Sequence, residues 1–113
     1  MKYKIVLVYF PFDDLSNAKL RPALCLTNPI SRLNHIILAA ITSNLSNATE
    51  PTDIIIEFVK KTNSSGLKTA SVIKTHRLIT LSKDAIKKII GELPTIFYPE
   101  LEEKLMILFK TPG

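Results

Sequence analysis

The chain has 113 residues, 46% hydrophobic and 22% charged, with a net charge of +5 and one cysteine. Its length fits a single domain over residues 1–113, and its composition excludes wholesale disorder. The positive balance favours an acidic partner, either nucleic acid or protein, while a lone Cys25 excludes an internal disulfide or a cysteine-rich zinc site.

Lys2 and Lys4 ahead of an apolar run loosely imitate a secretory leader, but Pro11 and Asp13-Asp14 interrupt it without a small-residue cleavage site. No apolar run approaches the ~20 residues of a membrane span. A soluble, cytoplasmic protein with no membrane association is expected, so the sequons at Asn44, Asn47 and Asn63 carry no meaning. Residues 3–10 read as a strand in which Ile5, Leu7 and Tyr9 share one face and Val6, Val8 and Phe10 the other. Two apolar faces predict an interior strand. A polar loop over 11–20 follows, long enough to be functional or mobile. Phe10 and Phe12 flank Pro11 on one face, suited to core packing or to base stacking.

The second strand, 22–27, starts at Pro22, where a missing N–H is tolerated, and buries Cys25 as a small hydrophobe. A turn over 28–34 leads to a third strand, 35–43, and a Pro51-containing loop to a fourth, 53–59. A basic turn with Gly66 precedes a fifth strand, 69–79. The period then changes. Ser82 can cap a helix carrying Ala85, Ile86, Ile89 and Ile90, which Gly91 would stop. Pro99 and Glu100, Glu102 and Glu103 open a second helix whose buried stripe is Leu101, Leu105, Leu108 and Phe109. Strands followed by helices predict a mainly β, α+β fold: a small barrel or curled sheet with helices packed on it.

Folding the hairpin about the 28–34 turn puts Arg21 opposite Ile41 or Thr42, with Ser43 and Asn44 at the same rim. A guanidinium beside hydroxyls and an amide suits a phosphate, because its planar fork matches phosphate oxygens. The alternative is an exposed arginine paired with Asp13 or Asp14. His35, at a strand start, reads as a surface or capping residue. His76, between Lys74 and Arg77, is suited to nucleic-acid backbone contact or to general-base work. No metal constellation, phosphate-binding glycine loop or nucleophile elbow is present, and no cofactor is implied.

The stretches IVLVYFPFDDLS, LRPALCLTN, ILAAITSN and SVIKTHRLITLSKDAI, in this order and spacing, resemble the PemK/MazF family of toxin–antitoxin endoribonucleases over most of the chain. The resemblance implies an SH3-like barrel with a C-terminal helix, a homodimer, and metal-independent, sequence-specific cleavage of single-stranded RNA restrained by a cognate antitoxin. It implies Arg21 and Thr42 as catalytic residues and the 11–20 loop as the gate for RNA and antitoxin. Ser16, Asn17 and Lys19 in that loop, Ser43 and Asn44 at the rim, and Lys74, His76 and Arg77 are the implied RNA contacts. Tyr3-Lys4, the glycine-free Ser16-Asn17-Ala18-Lys19 and Ile79 depart from common family residues. Two other readings are a non-catalytic barrel binding nucleic acid or protein, and a gyrase-poisoning toxin. The second needs an aromatic C-terminal tail, and this chain ends Lys110-Thr111-Pro112-Gly113.

Overall fold

Among the described residues, β-branched and aromatic runs build six strands, and one α-helix follows them. The computed structural model describes residues 1–10, 19–57 and 64–110. Its elements are β1 (Lys4–Tyr9), β2 (Leu20–Cys25), β3 (His35–Thr42), β4 (Asp53–Ile56), β5 (Ser71–Ser82), β6 (Lys88–Glu92) and α1 (Tyr98–Phe109). All strands pair antiparallel in one sheet, in the order β4-β5-β3-β2-β1-β6. β1 is interior, as its two apolar faces require. The whole is a curled half-barrel with a C-terminal helix, the mainly β architecture expected.

The curl has a local cause. The first part of β5 pairs with β4 on one side and with the end of β3 on the other. Against β3 the register then jumps: Ala40 faces Lys74, but Ala39 faces Leu78, so Thr75, His76 and Arg77 are extra to the ladder. Extra residues bend a strand and increase its twist. Here they bend the sheet's longest strand and turn His76 outward, where it is exposed.

Alternation sorts the apolar residues into two clusters. One holds Ile5, Leu24, Ala39, Ile41, Ile54 and Ile73, closed by Leu93 and by Leu101 of α1. The other holds Val6, Val8, Phe10, Ala23, Cys25, Ile36, Leu38 and Ala40. Tyr3 stacks on Tyr98 with ring centroids 3.7 Å apart, which pins the start of α1 to the sheet. Pro99 and Glu100 lie in the first turn of that helix, as expected.

Two expectations need correction. The segment 82–91 is not a helix. Ser82 does cap, its Oγ accepting from the Asp84 N–H at 3.2 Å, but only a 3-10 turn over Lys83–Ala85. The isoleucines then enter β6, which pairs along β1 and adds a Lys4–Glu92 ion pair at 3.2 Å. The free edge of β1 outweighs a weak helical preference, a tertiary override of local pattern. Gly91 is therefore not a helix stop: a Cβ there would strike the backbone of Ser64 and Ser65. Likewise Gly66, at φ +74°, would drive a Cβ into the Ile90 carbonyl. The second correction concerns α1, where Leu101 is buried and Leu105 and Leu108 half-buried, but Phe109 is 66% exposed. Helical spacing marked a stripe longer than the surface that covers it. The fourth strand ends at Ile56; residues 58 and 59, Phe12, and the 11–18 part of the expected loop lie outside the described residues.

Candidate functional site

The ladder between β2 and β3 aligns Cys25 with Leu38, Leu24 with Ala39 and Ala23 with Ala40. The ladder ends there; the same register continued by two residues would put Arg21 across from Thr42, rather than Ile41. Both border an open cleft of about 800 Å³ beside the break in β5. Arg21 and Pro22 come from β2, and Ala40 to Ser43 from the end of β3. The break itself contributes His76 and Arg77, with Lys74 just before it. Asn47, Thr49 and Glu50 form a facing wall, and Leu67, Lys68, Thr69 and Ser71 complete the lining. Arg21, Lys68, Lys74 and Arg77 against one carboxylate, Glu50, make the cleft net positive.

Thr42 Oγ1 accepts the Asn44 N–H at 3.2 Å, which leaves its hydroxyl proton available to donate into the cleft. Asn44 itself is occupied. Its Oδ1 caps the 3-10 turn Leu45–Asn47, accepting from the Ser46 N–H at 3.1 Å and the Ser46 hydroxyl at 2.6 Å. It braces the rim without lining the cleft.

Lys74 is buried in the floor, its side chain 10% exposed. Its Nζ donates to Asp53 Oδ2 at 2.8 Å and to the Asn47 carbonyl at 2.6 Å. The same Asp53 oxygen accepts the N–H groups of Thr49 and Glu50 at 3.1 and 3.0 Å, so one carboxylate gathers the facing wall onto the floor. α1 supports that wall as well, through Lys104 Nζ on the Pro51 carbonyl at 2.7 Å. Thr75 is buried and donates to the Thr52 carbonyl at 2.7 Å.

Of the expected site residues, Arg21, Thr42, Ser43, Lys74, His76 and Arg77 line the cleft. Lys19 is exposed just before β2 but does not line it, and Ser16 and Asn17 lie outside the described residues. His35, expected as a surface or capping residue, is half-buried and exchanges backbone hydrogen bonds with Ile30. Cys25 is fully buried, and burial pushes its thiol up to about 11, only partly opposed by the N-terminal ammonium. Asp53, Glu50, Thr49 and Lys68 were missed. Asp53 left a signal, a charge heading the apolar run of β4. Among the described residues, no group of His, Cys, Asp and Glu could hold a metal ion, and no helix is long and apolar enough to cross a membrane.

This architecture has close structural counterparts. An endoribonuclease solved with its cognate antitoxin from a mycobacterial species superposes with a TM-score of 0.67 at 15% identity, covering 100% of this chain and 95% of that one. The Mycobacterium tuberculosis toxin MazF-mt6 gives 0.72 at 21% identity, covering 97% and 99%. MazF from Deinococcus radiodurans gives 0.66 at 18%, covering 95% and 93%. Among curated proteins none matches in sequence. The family model for PemK-like, MazF-like toxins matches residues 1–109, nearly the whole chain, and so this chain belongs to the PemK/MazF family of type II toxin–antitoxin toxins.

Proposed function

We propose that the protein is an endoribonuclease that cuts single-stranded RNA by attack of a ribose 2′-hydroxyl on the adjacent phosphodiester, with no metal. The observation that supports this is that Arg21 and Thr42, from the adjacent ends of β2 and β3, line the same basic cleft. The nucleophile belongs to the substrate. The protein has to align it with the phosphorus and stabilise the negative charge that builds on the phosphoryl oxygens. Arg21 supplies a bidentate donor set, and Thr42, whose oxygen is already engaged by the Asn44 N–H, supplies an O–H donor. The 2′-oxygen bonds to phosphorus, the bond to the 5′-oxygen breaks, and the products are a 2′,3′-cyclic phosphate and a 5′-hydroxyl. One proton leaves the 2′-hydroxyl and one reaches the 5′-oxygen. Among the described cleft residues, His76 and Glu50 are the side chains able to accept a proton.

In this reading Ser43, His76 and Arg77 contact the RNA from the cleft, Ser16, Asn17 and Lys19 contact it from the preceding segment, and Asn44 braces the rim. The protein acts in the cytoplasm as one domain, as a homodimer, and is restrained by an antitoxin whose acidic and apolar segment competes for the same cleft. Its net charge of +5 supports either acidic partner. The test is incubation of purified protein with a long single-stranded RNA in the presence of a chelator, followed by mapping of product ends. Discrete cuts ending in cyclic phosphate, lost in Arg21→Ala, are expected. RNA left bound but intact by folded protein would overturn the enzymatic reading and leave a nucleic-acid-binding barrel.

A further inference from the structure

We infer that Lys74 is a phosphate-binding donor at the floor of the cleft, and that Asp53 is the positioning residue that holds it there. The inference rests on the cleft being an RNA site. Lys74 and Asp53 meet at 2.8 Å with side chains only 10% and 4% exposed. Taking two charges out of water costs more than a simple ion pair returns, unless hydrogen bonds complete both partners. Here they are incomplete. An ammonium carries three N–H donors, and the protein occupies two of them, with Asp53 Oδ2 and the Asn47 carbonyl. Asp53 Oδ1 is buried with no hydrogen-bond partner, while Oδ2 takes all three donors.

A pair built for stability would share its donors between both carboxylate oxygens. This one instead loads a single oxygen and leaves the third Lys74 N–H without a protein acceptor among the described residues, at a point that lines the cleft. The two acceptors come from different sides, β4 and the 3-10 turn, and so fix the direction of the remaining donor. A buried cation placed this way, in a cleft that Arg21 and Lys68 also line, fits a backbone phosphate oxygen of a strand laid along the floor. The carboxylate does more than neutralise. By gathering the Thr49 and Glu50 N–H groups it also sets the wall that such a strand would run against.

The test uses a mixed-sequence, fluorescein-labelled 2′-O-methyl RNA, which has no 2′-hydroxyl to attack, titrated at several salt concentrations. The full-length variant Lys74→Met with Asp53→Leu removes both charges and avoids stranding either. It is expected to stay folded by circular dichroism yet bind about tenfold to a hundredfold more weakly, the loss of one charged hydrogen bond. The slope of log affinity against log salt should fall by roughly 0.7, one phosphate contact on a single strand. Should that variant not fold, Lys74→Gln, which keeps a donor amide without the charge, is expected to lower the slope equally. An unchanged slope in a folded variant overturns the inference while wild-type binding leaves the RNA reading standing. Absence of salt-dependent binding by the wild type overturns both.

Discussion

Two cations of the cleft are built in opposite ways. Arg21 stands exposed at the start of β2, where a charge is inexpensive to keep. Lys74 is 8% exposed inside β5 and is kept only with a carboxylate from another strand. Placement, not charge, distinguishes them. The rim cation stands in solvent, whereas the floor cation sits within the fold, so the two should fail differently when mutated.

The largest contrast is in stability. Asp53→Ala strands the Lys74 ammonium in the interior and frees the Thr49 and Glu50 N–H groups, and should cost about 3–5 kcal/mol. Arg21→Ala should stay within about 0.5 kcal/mol of wild type, as surface changes do. Urea unfolding of the two variants measures this directly. Equal losses would show that rim and floor are one structural unit. In cleavage the order reverses in meaning: folded Arg21→Ala should lose about 100- to 1,000-fold in rate, the range for removing one donor to transition-state charge. Thr42→Val should lose less, and Thr42→Ser should keep most activity because the hydroxyl survives. A Thr42→Val enzyme as fast as wild type would remove that hydroxyl from the chemistry.

Cys25 sharpens the comparison from a third side, as a buried ionisable group whose burial is only partly opposed by a charge, the N-terminal ammonium. Burial pushes its thiol up from 9.0 to about 11. Its pKa is thus raised on folding, so the folded state keeps the proton while the unfolded chain begins to release it near pH 9. Stability linked to Cys25 is complete below pH 9 and is lost as pH rises toward 11, by about 2–3 kcal/mol at the upper end. Cys25→Ala lacks this component. Unfolding midpoints of wild type and Cys25→Ala should therefore converge between pH 9 and 11, and parallel curves would contradict the buried thiol.

Much of the rim was legible because it depends on short-range facts. A hairpin about the 28–34 turn fixes which strand ends meet, and the ladder, continued past Ala23–Ala40, favours Thr42 over Ile41. The floor was not legible. The partner of Lys74 lies 21 residues away across β4, and no spacing rule joins them. Nor does a sequence announce a register jump that frees three residues of β5; His76 and Arg77 could be named as contacts, but not the bend that turns them into the cleft. Asn44 shows the converse, a residue at the right place in sequence whose side-chain oxygen is engaged in a cap.

The segment 82–91 failed for a different reason, and one substitution settles which pattern governs it. Ile86, Ile89 and Ile90 satisfy helical spacing, yet Ile89 and Ile90 also alternate as a strand, so local pattern alone does not decide. The edge of β1 decides, and the decision is recorded at Gly91. In an exposed helix, glycine to alanine would stabilise by roughly 0.5–1 kcal/mol, through backbone entropy. In β6 the same methyl group meets the backbone of Ser64 and Ser65, which has no flexible end to give way. Gly91→Ala should therefore destabilise, by about 1–3 kcal/mol as overpacking does. The effect should also reach the cleft, since the strained Ser65 accepts the Leu67 N–H and Leu67, Lys68 and Thr69 line the cleft. Urea unfolding gives the sign, and RNA affinity of the folded variant gives the reach. A stabilised Gly91→Ala would restore the helix, whereas a destabilised one with weakened RNA affinity ties the β6 edge to the 67–69 lining of the cleft.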